Sequence, residues 1–382
     1  MSGEPVLPYG RQSIDESDIA AVAAVLRGDW LTTGPAVDAF EREIAAVAGC
    51  EEPAVTVTSG TAALHTAYAA TGVGPGDEVI TTPLTFFATA TCAMWQGATI
   101  VFADVCEDTG NLDPVAVEAA VTDRTKVVAG VDYAGHPIDA PALSKVAHAA
   151  GAVLLEDAAH SIAGSLDGVP VGSLADVTTF SFFPTKNLTT AEGGAVVSHS
   201  AEILGAARDF KSIGYTRDRA KWCSQEDEGV WYYEVHSLGL NYRLPDVLAA
   251  LGSNQLTRIA KFKKRRQEVT DRYNQGLADI PELVLPAHRP GADPMWHLYP
   301  LRIVDGRRRE LFDHLRANAV GVQVNYIPVH HQPIFAELGW RKGQFPIAEA
   351  YSAQEISLPM FPSLTDDDID RVIDLVRSFV RA

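Results

Sequence analysis

Positive charge and cysteine are both scarce in this chain. Among its 382 residues, 31 lysines and arginines face 49 aspartates and glutamates, a formal net charge of -18. A protein that grips a phosphate backbone needs a basic surface, so a nucleic-acid partner is not expected. The one basic run, KFKKRR from Lys261 to Arg266, is read as the solvated face of a long helix. Cys50, Cys92, Cys106 and Cys223 form neither a CxxC pair nor a regular spacing, which argues against a disulfide framework and leaves no metal site expected. No apolar run approaches the roughly 18 residues needed to cross a bilayer. The opening MSGEPVLPYG has no charged segment leading into an apolar core, so the expectation is a cytoplasmic protein without membrane contact. Also missing is GxGxxG after a strand: Gly72, Gly74 and Gly76 have the wrong spacing and precede a strand.

What is present is apolar residue in quantity, 47% of the chain, and enough length for two domains rather than one. From about residue 54 to 200, short β-branched runs alternate with segments of helical period. AVTVTS precedes TAALHTAYAATG, DEVITTP precedes FFATATCAMWQG, and TIVFADV, TKVVAGVDYAG and AVLLEDAAHS continue the series. Continuous apolar strands, each followed by a helix, predict an α/β fold with a mostly parallel sheet covered on both faces. Right-handed crossovers then gather the loops after the strands on one edge, where ligands bind. VTTFSFF and GAVVSHS read as further strands that end the sheet in a mixed, hairpin-like part. A long helix from Pro245 to Asp279 leads out, and the remainder predicts a smaller α+β unit. The expected division is a large domain of residues 1–250 and a smaller one of 251–382. Thr365, ahead of three aspartates, is a good N-cap for a terminal helix.

Three features carry chemistry. Ser59-Gly60-Thr61 sits where a strand turns into a helix, a place where backbone N–H groups and hydroxyls can cradle an anion. Asp157 ends a buried strand at the ligand edge, where a carboxylate can pair with a cationic ring nitrogen; His160 lies three residues on. Lys186 lies in FSFFPTKNLTTAEGG, between an aromatic, proline-bearing run and a glycine pair, with Ser181 five residues earlier. Desolvation lowers a lysine pKa and frees the neutral amine for bonding to a carbonyl. An anion cradle, a strand-end aspartate and a semi-buried lysine together match the needs of pyridoxal 5′-phosphate: phosphate anchoring, a protonated ring nitrogen and a covalent link to the aldehyde. Asn187-Leu188-Thr189 matches a glycosylation pattern, which carries no weight without secretion.

The succession SGTAAL, TPLTFFATA, EDAAHS, SFFPTKNLTTAEGGAVV, GLNYRL and VNYIPVHHQP resembles the DegT/DnrJ/EryC1/StrS family of nucleotide-sugar aminotransferases, from Leu31 almost to the C-terminus. The resemblance implies a fold-type-I aminotransferase with a large seven-stranded sheet domain, and a homodimer whose active sites lie at the subunit interface. It implies that Lys186 forms the covalent link, that Asp157 pairs with the ring nitrogen, and that Gly60, Thr61 and Ser181 hold the phosphate. Phe86 would stack on the ring, His160 would sit at its face or hydroxyl side, and Asn241 would reach the phosphate in the neighbouring subunit. Thr33 and Gly34 of LTTGP, with Tyr326, His330 and His331, are the candidate substrate contacts. Metal binding by His330-His331 is not expected, since adjacent side chains in extended backbone point apart.

By the same resemblance the amino donor is L-glutamate. The acceptor is a nucleotide-linked 4-keto-6-deoxy sugar aminated at C4, with a UDP-linked N-acetylhexosamine favoured because VDYAG, EDAAHS and EISLP look most like the aminotransferase of pseudaminic acid biosynthesis. The insert-like RDRAKWCSQEDEGVWYY departs from the pattern. Two other readings stay open: C3 amination of a dTDP-linked keto sugar, and a non-enzymatic sugar-nucleotide-binding or regulatory protein. Related 3-dehydratases carry histidine in place of the lysine, and Lys186 argues against that activity.

Overall fold

The structure is a computed structural model that describes residues 6–224 and 229–381. Residues 225–228, in the insert singled out above, lie outside the described residues, as does the start of the chain before Val6. Seven strands form the main sheet: Val55–Val57 (β1), Glu78–Thr81 (β2), Thr99–Phe102 (β3), Thr125–Val131 (β4), Val153–Asp157 (β5), Val177–Ser181 (β6) and Gly194–Val197 (β7). Their order is β1-β7-β6-β5-β4-β2-β3. The five strands from β6 to β3 run parallel. β7 runs opposite to the other six, pairing antiparallel with both β6 and β1. That pairing is the expected mixed end of the sheet. Val127, Val128, Leu154 and Leu155 are all fully buried, so consecutive residues of β4 and β5 meet helices on opposite faces.

Because the parallel strands share a direction, their C-terminal ends meet on one edge. Ser59 follows β1, Phe86 follows β2, Asp157 closes β5, and Ser181 closes β6 ahead of the turn holding Lys186. Gly194 is required at the start of β7: a Cβ there would lie 2.5 Å from the Ser59 carbonyl oxygen and 2.8 Å from that of Phe180. Its neighbour Gly193 would meet the Thr190 hydroxyl at 2.1 Å. The glycine pair thus lets the lysine loop and the Ser59 turn pack against one another.

The expected helix from Pro245 to Asp279 is two helices, Asp246–Leu256 and Ile259–Leu277. The Thr257 hydroxyl donates to the Asn254 carbonyl at 2.6 Å, and Arg258 leaves helical geometry to pair with Asp15 and Asp18. The basic run also departs from expectation. Lys264 is solvated, but Arg266 is 1% exposed and donates to the Trp296 carbonyl, while Lys263 bonds the Ala163 carbonyl. Lys263, Arg265 and Arg266 thus spend their charges on intramolecular carbonyls and carboxylates, while Lys261 and Lys264 face solvent. A three-stranded antiparallel sheet of Leu283–Val284, Tyr299–Ile303 and Glu355–Leu358 follows, with its own apolar cluster shared with helix Asp366–Arg381. Thr365 caps that helix reciprocally with Asp368, as expected. No helix among the described residues is long and apolar enough to cross a membrane.

Candidate active site

The strand ends open into a cavity of about 620 Å³. One part of its wall is the start of helix Gly60–Ala70. Ser59 is the N-cap, its Oγ accepting from Ala62 N at 3.0 Å, so the first N–H groups of the helix and its positive end are held in a fixed direction. Gly60 cannot be larger, since a Cβ would lie 2.6 Å from both Cβ and Oγ of Ser181. Thr61 and Ser181 both line this wall, and among the described residues neither hydroxyl has a protein partner. The combination of helix N-terminus and two free hydroxyls is an anion cradle.

Asp157 is buried at the end of β5. Its Oδ2 accepts from Thr89 Oγ1 at 2.7 Å and its Oδ1 from Ala159 N at 3.2 Å. Burial raises its pKa, opposed by the Thr89 hydrogen bond and by the charge of Lys186. Lys186 is half-buried on the same wall, in a turn closed by its own N–H to the Phe183 carbonyl at 2.9 Å. Desolvation pulls its amine down to about 8, against the upward pull of Asp157. The lysine is thereby poised to gain or lose a proton near neutral pH.

His160 and Tyr326 face each other across 3.2 Å, Nε2 to hydroxyl, and the Phe86 ring lies 6.2 Å from that of Tyr326. Burial, reinforced by Lys186 and Arg266, keeps the His160 imidazole uncharged. Gly60, Thr61, Phe86, Asp157, His160, Ser181, Lys186 and Tyr326 therefore line one cavity.

Five candidates do not line it. Thr33 is exposed with φ at +54°, and Gly34 N donates to Asp246 Oδ2 at 2.8 Å. Asn241 is exposed in a bridge to Ser212. His330 is fully buried, its Nε2 3.0 Å from Glu349 Oε1, and His331 Nε2 stands 3.6 Å from the same oxygen. The expectation of extended backbone here is corrected: Val329–His331 is a 3-10 turn, which swings both rings toward Glu349, with centroids 4.3 Å apart. These three side chains are close enough to hold an ion. Glu349 Oε1, however, also takes the Gly343 N–H at 2.6 Å, the bonding of a clamp that pins a loop.

The family model for "DegT/DnrJ/EryC1/StrS aminotransferase family" matches residues 12–377. The chain belongs to that family. It is a transaminase of fold type I, an enzyme class that works with pyridoxal 5′-phosphate. Among curated relatives, the spore coat polysaccharide biosynthesis protein SpsC of Bacillus subtilis is 42% identical over 381 residues, covering 98% of this chain and 97% of that one. Among solved structures, the PLP form of a putative sugar aminotransferase, Spr1654 of Streptococcus pneumoniae, superposes with a TM-score of 0.91 at 29% identity, over 98% of this chain and 99% of its own. PseC of Helicobacter pylori, an aminotransferase involved in the biosynthesis of pseudaminic acid, gives 0.91 at 28% identity over the same shares.

The aminotransferase's own geometry fits the cofactor. The cradle at Gly60 admits no side chain, the hydroxyls of Thr61 and Ser181 are unengaged, and Thr179 presents a buried, unpartnered hydroxyl on the same wall. Sequence reading missed Thr89, the anchor of Asp157, because a threonine inside an apolar helical run carries no signal of its own. It missed His297, which lines the cavity, because HLYP reads as the start of a strand. Tyr9, Gln323 and Asn325 also reach the wall from segments far apart in the chain.

Proposed function

We propose that this aminotransferase acts on a sugar, moving an amino group from L-glutamate to C4 of a nucleotide-linked 4-keto-6-deoxy sugar. The observation that carries the chemistry is Lys186 and Asp157 on one wall with the Gly60–Thr61 and Ser181 cradle. A UDP-linked 4-keto-6-deoxy-N-acetylhexosamine is favoured. The motif resemblance supports it, as do similarity to PseC and to a protein of polysaccharide biosynthesis.

When bound, pyridoxal 5′-phosphate supplies an electron sink. The helix N-terminus at Gly60, with the Thr61 and Ser181 hydroxyls, would hold its phosphate, and Asp157 would keep a proton on the ring nitrogen. Thr89 holds the Asp157 carboxylate in place. Phe86 and His160 would flank the ring. Lys186 Nζ would take the proton from the donor's α-carbon and return it at the neighbouring position, a task suited to an amine near 8. Tyr326 would contact the sugar, and Thr33, Gly34, His330 and His331 would act there only through a rearrangement or a second subunit.

The working unit on this reading is a cytoplasmic homodimer, with Asn241 completing the neighbour's site. Phe87 is half exposed and Leu238, three residues before Asn241, is 93% exposed, apolar groups that a second copy would cover. Residues 1–250 and 251–382 are taken as its two domains, with helix Asp246–Leu256 carrying the chain between them. The test is a coupled assay offering UDP- and dTDP-linked 4-keto-6-deoxy sugars with glutamate, the product's amino position being assigned by NMR. Turnover of the UDP sugar to a 4-amino product is expected, and a 3-amino product from a dTDP sugar would replace this reading. Lys186→Ala should abolish turnover; near wild-type turnover would overturn the role of the lysine.

A further inference from the structure

Two buried histidines share the cavity wall, and one asparagine decides the state of one of them. Asn187, next to the active lysine, is 3% exposed. Its Nδ2 donates to the carbonyl oxygens of His160 at 2.5 Å and of Met295 at 2.9 Å. Two carbonyls at one end of the amide settle its orientation, since an oxygen placed there would face two oxygens. Oδ1 therefore faces His297 Nδ1, 3.2 Å away, and can only accept. The His297 proton must be on Nδ1.

Burial, aided by His160, Lys186 and Arg266, holds the His297 imidazole well below the ordinary histidine range, so the ring is uncharged. A neutral ring protonated on Nδ1 has a bare lone pair on Nε2. Among the described residues that nitrogen has no protein partner, although His297 is only 7% exposed and lines the cavity. The His160 ring, 4.4 Å away between centroids, is uncharged too, and its Nδ1 is buried without a partner. Neither imidazole on this stretch of wall carries a charge, and His297 Nε2 is the acceptor it presents.

We propose that His297 Nε2 is a substrate-binding acceptor, fixed in that state by Asn187, which takes a hydrogen bond from a hydroxyl or ammonium group in the cavity. The proposal rests on the aminotransferase reading above. A carboxylate or phosphate oxygen would face a lone pair here, so anions belong at the Gly60–Thr61 cradle instead. The donor is either a sugar hydroxyl or the amino group of the amino acid, and kinetics separate the two.

The experiment uses the holoenzyme with glutamate, a UDP-linked 4-keto-6-deoxy-N-acetylhexosamine and a dTDP-linked 4-keto-6-deoxyglucose as probes. In His297→Leu, KM for one substrate should rise about tenfold, the usual consequence of losing one such bond, while the other stays within about twofold. A response in the sugar identifies a hydroxyl, and a response in glutamate identifies the ammonium. His297→Gln, which can place an amide oxygen near the Nε2 position, should recover most of the loss. Spectra of wild-type protein carrying ¹⁵N-histidine should show the Nδ1–H form of His297 at pH 7, and Asn187→Ala should mix the two forms. Unchanged KM values in His297→Leu, or an Nε2–H form in the wild type, would overturn the proposal. A wild-type enzyme that transfers no amino group would sink the functional reading instead, and the spectra would still decide the role of Asn187.

Discussion

Asp157→Asn should change the reactivity of Lys186 and the turnover of the enzyme in opposite directions. In the wild type the Lys186 amine lies at about 8, against 10.5 for an ordinary lysine. That gap of about 2.5 pH units makes the neutral fraction at pH 7 roughly 300 times that of a solvated lysine, or about one molecule in ten. Asp157 is the group that holds the amine up, because a carboxylate stabilises the neighbouring ammonium. An opposite charge close by is worth about 1 to 3 units, so even the low end of that range would leave about half the amine neutral at pH 7. The assay is trace acetylation of the apo-protein between pH 6 and 10, with Lys186 quantified by mass spectrometry. Its midpoint should sit near 8 in the wild type and lower in Asp157→Asn, with about fivefold faster labelling at pH 7. Turnover should collapse in the same variant, because nothing then keeps the ring nitrogen protonated. A midpoint at or above the wild-type value would refute the electrostatic coupling, whatever happened to turnover.

Gly60→Ala should weaken cofactor affinity and lower the urea midpoint by the equivalent of about 1–3 kcal/mol, because its Cβ would sit 2.6 Å from Ser181. Glu355 is fully buried, and desolvation lifts its carboxyl to about 8, above the value of 4.5 for an ordinary glutamate. The folded protein then keeps a proton that the unfolded chain has lost, so this group makes stability fall as pH rises from about 4.5 to about 8. Urea midpoints across that range should slope less in Glu355→Gln; a residue of slope will remain from Glu156, whose carboxyl is raised to about 7 by burial. Mixing Lys186→Ala with Asn241→Ala protein should restore activity that neither has alone, since one site of the mixed dimer is then intact. No recovery, with dimers confirmed by ultracentrifugation, would remove Asn241 from the shared site.

Sequence by itself was enough for the main sheet and the enzyme class. Buried parallel strands have to be continuous apolar runs, so DEVITTP, TKVVAGV and AVLLED announce themselves, and each candidate group sits at a strand's end or in the turn after it. Lys186, Asp157 and the Ser59-Gly60-Thr61 turn are legible for that reason. Contacts made across the fold with distant partners leave no such trace. Thr89 beneath Asp157, Asn187 between His160 and Met295, and Arg266 inside a basic run all depend on partners dozens of residues away. Composition made the KFKKRR run a solvated face, because a charge pattern records sign and spacing but not which carbonyls wait nearby. The break at Thr257 was hidden likewise, since it turns on Arg258 reaching Asp15 and Asp18. Local pattern determines where a chain can place a lysine, an aspartate and a helix start. Only packing decides their pKa values, the tautomer of His297 and which side chains share a wall, because those follow from desolvation and from neighbours the chain reaches only once folded.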